Sequence, residues 1–147
     1  MKNLVIGQSG GPTAVINASL YGAVKAFRES GADGHVLGMI NGIEGFLADH
    51  VMDLSTDLSD KELELLKLTP AAYLGSCRYK LPADLDSEVY PAIFDNFREM
   101  NIGYFLYVGG NDSMDTVDKL SRYAEKIGSD VKFIGIPKTI DNDLVLT

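Results

Sequence analysis

One cysteine, two histidines and no long apolar run remove several classes of function before any motif is considered. With Cys77 alone, no disulfide framework exists within the chain, which suits a reducing cytoplasm. Neither His35 nor His50 sits in a motif-like setting that would pair with Cys77, so the thiol reads as structural rather than as a nucleophile. No stretch approaches the ~18 apolar residues of a membrane span. The opening Met1-Lys2-Asn3 runs into a strand, not a signal peptide. Basic charge is also short: the formal net charge is −8, which argues against a non-specific nucleic-acid binder. Low-complexity segments and internal repeats are missing as well.

What remains is a chain of 147 residues, 46% hydrophobic and 23% charged, enough for one domain with a real core. Leu4-Val5-Ile6 is a short apolar run ending in Gly7-Gln8-Ser9-Gly10-Gly11-Pro12 and reads as a buried parallel strand feeding a turn. From Thr13 to Glu29, Val15, Ile16, Ser19, Leu20, Ala23, Val24 and Phe27 recur at helical spacing, with Ser30-Gly31 closing the helix. A second strand is expected over His35–Ile40, with Asn41–Gly45 as a turn away from it. Leu58–Leu68 reads as a short acidic amphipathic segment capped by Ser59 or Asp60. Ala71–Arg78 reads as a small strand or an extended loop. A helix over Asp86–Met100, a strand Ile102–Val108, a helix from about Ser113 to Ile127 and a strand Val131–Ile136 follow. The alternation predicts an α/β fold: three α-β-α layers around a mostly parallel sheet.

Three loops carry chemistry-bearing residues: 7–13, 109–113 and 137–143. Each follows a predicted strand, so a parallel sheet puts all three on one edge, where ligands bind such sheets. Gly10-Gly11 allows close backbone approach and positive φ, Ser9 and Thr13 add hydroxyls, and the following helix offers N–H groups to an anion. Gly109-Gly110-Asn111-Asp112-Ser113 repeats the device, with Asn111 and Asp112 as oxygen donors for Mg²⁺ and Asp112 or Ser113 as a helix cap. In Pro137-Lys138-Thr139-Ile140-Asp141-Asn142-Asp143, the two aspartates serve metal binding or proton transfer. Lys138 and Thr139 serve a phosphate. Taken singly, each loop is equally an ordinary strand–turn–helix junction or an Asx-rich turn, and Arg78 an ordinary surface charge.

Four segments in order make a more specific pattern: Ser9-Gly10-Gly11-Pro12-Thr13 with Asn17-Ala18, Leu74-Gly75-Ser76 with Arg78, Gly109–Ser113, and Pro137–Asp143. Together they resemble the 6-phosphofructokinase family over nearly the whole chain. The resemblance implies transfer of a phosphoryl group to the 1-hydroxyl of fructose 6-phosphate with Mg²⁺. It makes Asp141 the general base, with Asp143 close to the reacting centre and metal. Thr139 contacts the transferred phosphoryl group or the sugar, and Arg78 reaches the donor phosphates. Gly10, Gly11, Thr13, Asp112, Ser113 and Lys138 bind the donor. The implied metal set is Asn111, Asp112 and Asp143, and the implied substrate set Thr139, Asp141 and Asp143.

Two positions concern the donor. ATP-using members carry glycine where this chain has Asp112 and Lys138, and the Asp-plus-Lys pairing resembles the pyrophosphate-dependent branch. A carboxylate at Asp112 adds bulk and charge where a nucleotide's α-phosphate would lie, and Lys138 supplies a cation for compact pyrophosphate. The chain departs from the family at Asn111, where aspartate is usual. Either metal affinity falls there or Asp112 takes over. An ATP-dependent enzyme and a non-catalytic phosphate-binding or regulatory subunit remain as alternatives. The resemblance further implies a cytoplasmic homo-oligomer, dimer or tetramer, without nucleic-acid or membrane partners. Residues 1–147 are expected to form the donor-binding amino-terminal domain of a longer enzyme whose sugar-phosphate half is absent, and to be inactive alone.

Overall fold

The computed structural model describes residues 2–11 and 13–139. Five strands form one sheet in the order β3-β2-β1-β4-β5: β1 Asn3–Gln8, β2 Val36–Met39, β3 Val51–Asp53, β4 Ile102–Gly109 and β5 Lys132–Pro137. β1 pairs in parallel with β2 (Val5 opposite Leu37) and with β4 (Val5 opposite Phe105), and β4 pairs in parallel with β5. Only the edge strand β3 runs antiparallel, with Gly38 of β2 opposite Met52. The expected α/β layering with a mostly parallel sheet is therefore present.

Side-chain alternation along β1 feeds two separate cores. Leu4 and Ile6 pack with Ile16, Leu20 and Val24 from α1 (Ala14–Glu29), joined by Leu63 of α3 (Asp60–Leu65) and Leu66 of the 3₁₀ turn Leu66–Leu68. Val5 faces the other way, into Ile43 and Phe46 of α2 (Gly42–Leu47), Ile93, Phe94 and Phe97 of α4 (Val89–Glu99), and Leu120, Tyr123 and Ala124 of α5 (Asn111–Ile127). Residues spaced three and four apart on α1, α4 and α5 form the stripes that meet the sheet. Phe97 is the hub of the second core, with Phe94, Phe46, Phe105 and Phe133 at ring-centroid distances of 5.0, 5.5, 5.7 and 6.0 Å.

Several boundaries differ from expectation. Asn41–Gly45 is not a turn: Asn41 takes a left-handed conformation (φ 60°) and starts α2. An Asn-Gly pair normally marks a turn, and here the left-handed residue serves instead as the entry to a helix. β3 is only three residues long, too short for a readable alternation. Residues 71–78, expected as a small strand or an extended loop, take the loop course, held by side-chain bonds. Of the two expected caps of α3, Ser59 is used: its hydroxyl accepts from the Glu62 N–H at 3.1 Å and Glu62 reaches back to the Ser59 N–H at 2.9 Å.

The sheet order fixes where a ligand can sit. From β1 the chain goes outward to β2 by way of α1 on one face. From β4 it goes outward the opposite way to β5 by way of α5 on the other face. The loops after β1 and β4 therefore diverge, and a crevice opens between them at the carboxyl ends of the strands. Phe97→Ala should cost about 3–5 kcal/mol, read as a shift of the denaturation midpoint at unchanged slope. A loss under about 1 kcal/mol would show that the aromatic cluster is not the structural centre.

Candidate functional site

The crevice is a cleft of about 610 Å³ lined by Gly10, Gly11, Thr13, Arg78, Gly110, Asn111, Asp112, Ser113, Lys138 and Thr139. Every described residue singled out for donor, metal or substrate binding thus lies on one cleft. Asp141 and Asp143 lie outside the described residues. A second cavity, about 510 Å³ with Lys2, Arg98 and Asp130 in its lining, sits at the far end of the strands and gathers none of these residues.

Close approach of backbones builds the floor. Gly10 has φ +80°, while Gly11 beside it does not need a positive φ. A Cβ on Gly109 would lie 2.7 Å from the Ser9 carbonyl oxygen and closer still to Ser113 Oγ, so only glycine lets the two strand ends meet here. The β5 loop is tied to both: the Lys138 N–H donates to the Gly109 carbonyl at 2.7 Å, and the Lys138 ammonium donates to the Gly11 carbonyl. Three loops distant in sequence are therefore one hydrogen-bonded unit.

Two helix N-termini face this floor. α1 begins after Thr13, an extended cap residue without a side-chain capping bond. Its Oγ1 is buried and has no partner among the described residues. α5 begins after Gly110, extended at φ −85° and ψ −156°, again without a side-chain cap. This corrects the expectation that Asp112 or Ser113 caps the helix. Glycine at the cap moves Asn111, Asp112 and Ser113 into the first turn, where a helix leaves N–H groups without intrahelical acceptors. Ser113 is buried, while Asn111 and Asp112 are exposed to the cleft. Both helix ends carry positive dipole character. Arg78 and Lys138 add full charges, so the cleft is cationic within an acidic chain.

Asp112 is the local exception. Its Oδ1 lies 3.6 Å from the Lys80 ammonium, with both side chains largely exposed. Among the described residues no group of three or more His, Cys, Asp and Glu could hold a metal. Asn111 and Asp112 stand together at the cleft, whereas the third expected ligand, Asp143, is among the undescribed residues. Cys77 is buried, as expected of a structural thiol, with Sγ 3.7 Å from Tyr107 Oη. Burial pushes the Tyr107 phenol far above its ordinary value, so it stays neutral and accepts the Ile43 N–H at 3.2 Å.

Three supports beneath the cleft were not assigned roles from sequence: Gln8, Ser76 and Lys80. Ser76 Oγ donates to the Gly10 carbonyl at 2.7 Å. Gln8 has no exposed surface. Its parity gave the clue, because it shares the inward register of Leu4 and Ile6 on a strand.

The cleft sits at the carboxyl ends of the strands, where open α/β sheets bind ligands. A sequence profile described as Phosphofructokinase matches residues 3–147. The chain belongs to the phosphofructokinase family. It is 44% identical over 148 residues to a pyrophosphate–fructose 6-phosphate 1-phosphotransferase of Halomonas elongata, covering 99% of this chain and 35% of that protein. A Rhodospirillum rubrum protein of the same name is 43% identical over 143 residues, covering 97% and 34%. A solved pyrophosphate-dependent phosphofructokinase from Nitrosospira multiformis superposes with a TM-score of 0.89 at 41% identity, covering 99% of this chain and 36% of that one. The chain thus spans about a third of the length of these phosphofructokinase relatives.

Titration with inorganic pyrophosphate should shift the amide resonances of Gly11, Gly110, Asp112 and Ser113 and leave those of Arg98 and Ser129 at the far cavity in place. Larger shifts at the far cavity would reject the cleft as the anion site.

Proposed function

We propose that the chain is the donor-binding, amino-terminal third of a pyrophosphate-dependent 6-phosphofructokinase, which moves a phosphoryl group from pyrophosphate to the 1-hydroxyl of fructose 6-phosphate. The observation that carries the donor assignment is the pairing of Asp112 and Lys138 on the lining of one cleft. The names of the relatives above support the same donor. Asp112 projects a carboxylate at the opening turn of α5, where the further phosphate of a nucleotide would meet bulk and like charge. Lys138 holds its ammonium against the Gly11 carbonyl, beside the glycine loop that would receive the donor.

Phosphoryl transfer needs positioning and charge stabilisation more than covalent chemistry. Gly11, Thr13 and the first turn of α5 supply N–H and hydroxyl donors, and Arg78 and Lys138 supply charge. Thr139 lies beside Lys138 on the same lining. In this reading Asp141 takes the proton of the sugar hydroxyl and Thr139 orients the group being transferred. Asn111 and Asp112 fit Mg²⁺ in its common mode, one or two protein oxygens with the rest of the shell from water and substrate phosphate. Bound there with Asp143, the ion would neutralise charge on the donor. The reading extends to a cytoplasmic homo-oligomer, supported by the family resemblance and by a single buried thiol suited to a reducing compartment. No helix among the described residues is long and apolar enough to cross a membrane.

In the full-length protein, Asp112→Gly with Lys138→Gly should lower kcat/KM for pyrophosphate by about tenfold or more and make ATP a measurable donor, read in parallel assays with each donor. An unchanged donor ratio would refute the role of both positions. Asp141→Ala should lower kcat by roughly 10²–10⁴-fold with the KM for pyrophosphate little changed. Turnover surviving that substitution would remove Asp141 as the base, whereas a wild-type protein that binds pyrophosphate without turnover would favour a non-catalytic subunit.

A further inference from the structure

Arg78 lies on the irregular segment 71–78, with no helix or strand to aim it. The segment is instead pinned to the end of β1 by hydrogen bonds at three consecutive residues, through the side chains of Gln8 and Ser9 and the carbonyl of Gly10. Gln8 Oε1 accepts the Leu74 N–H at 2.9 Å, Ser9 Oγ donates to the Cys77 carbonyl at 3.0 Å, and the Gly10 carbonyl accepts from Ser76 Oγ at 2.7 Å.

Gln8 is itself locked. Its Nε2 donates to the Ile16 carbonyl and to Asn17 Oδ1, both at 3.0 Å. Asn17 continues the chain of bonds. Its Oδ1 accepts the Tyr73 N–H at 2.8 Å, and its Nδ2 donates to the Thr69 carbonyl at 2.8 Å and to the Ala71 carbonyl. Both side chains have no exposed surface. Asn17 occupies the apolar face of α1 beside Ile16 and Leu20, and Gln8 the inward register of β1. An apolar pair of similar volume would fill this space but would leave the Tyr73 and Leu74 N–H groups and the Thr69 and Ala71 carbonyls without these partners, at a cost for each group left unsatisfied. The amides add direction: four of their bonds each specify where one backbone group of residues 69–74 must sit.

We propose that the buried Gln8–Asn17 amide pair is a positioning device for Arg78, setting the segment that carries it against the phosphate cradle formed by Gly10 and Gly11. Neither amide touches the donor. They act through Arg78 and therefore on use of the phosphoryl donor, not of the sugar. The proposal rests on the donor-contact role given to Arg78 above.

A double-mutant cycle in the full-length protein tests it. Gln8→Met keeps volume and removes the three bonds of the side chain. It should raise the KM for pyrophosphate by about tenfold and leave the KM for fructose 6-phosphate within about twofold. In an Arg78→Met background the same substitution should change donor KM by less than about twofold, because coupled residues lose their effect together. Losses that multiply, or equal losses for both substrates, would overturn the proposal. If Gln8→Met does not fold, Asn17→Asp takes its place in the cycle, being near-isosteric yet unable to donate to the Thr69 and Ala71 carbonyls.

Hydrogen exchange supplies a readout independent of turnover. Amides of Tyr73, Leu74 and Arg78 should exchange faster in Gln8→Met while Val5 and Ile6 remain protected. Unchanged exchange over 73–78 overturns the proposal even if the enzyme uses a different donor. A wild-type protein inert with both pyrophosphate and ATP would instead count against the functional reading.

Discussion

The side-by-side parallel pairing of β1 and β4 governs this molecule. Their six matched positions, from Asn3 opposite Ile102 to Gln8 opposite Val108, bring two glycine-rich loops a hundred residues apart to the same height. Because the chain leaves the two strands in opposite directions and over opposite faces, a cleft opens between their loops. The cationic cleft, the two helix ends that face it and the reach of Lys138 from β5 all follow from that divergence. Glycine at 109 is the local condition for it, since any side chain there would push the strand ends apart.

Much of this was legible from the residues. Strongly periodic segments such as α1 and α5, and the apolar runs of β1, β4 and β5, carry their structure in patterns longer than a turn. Knowing that three loops end parallel strands was enough to bring Gly10, Asp112 and Lys138 to one edge before any coordinates. What escaped was short or long-range. β3 has too few residues for a pattern, and α2 starts from Asn41-Gly42, a pair whose local preference is a turn. The cap of α5 fell to Gly110 rather than to Asp112 or Ser113, because the close contact at Gly109 decides where the helix can begin. The irregular course of 71–78 depends on partners more than fifty residues away, such as Asn17 for Tyr73 and Gln8 for Leu74. No local signal can report such contacts.

The charge of the site contrasts with that of the chain. A net charge of −8 keeps the surface acidic, yet Arg78, Lys138 and two helix N-termini converge on one cleft. An anionic ligand would thus meet less repulsion at this cleft than the net charge of the chain implies. Asp112 restores some negative charge inside that region and is moderated by Lys80 at 3.6 Å. In the proposed reading, such a carboxylate would favour a small, highly charged donor whose phosphates are all within reach of cations. It would disfavour a longer one that must pass it.

The bond from the Lys138 ammonium to the Gly11 carbonyl has a further consequence. An ammonium parked on a carboxylate would have to break an ion pair before meeting a ligand. Here its resting partner is a neutral oxygen, and the backbone of the same residue stays anchored to Gly109. In the proposed reading, an arriving phosphate would replace a bond to a neutral carbonyl with one in which donor and acceptor are both ionised. The exchange needs only rotation of a side chain about a fixed base. The cation is held on the wall of the cleft, so part of the freedom it would lose on binding is already given up when the chain folds.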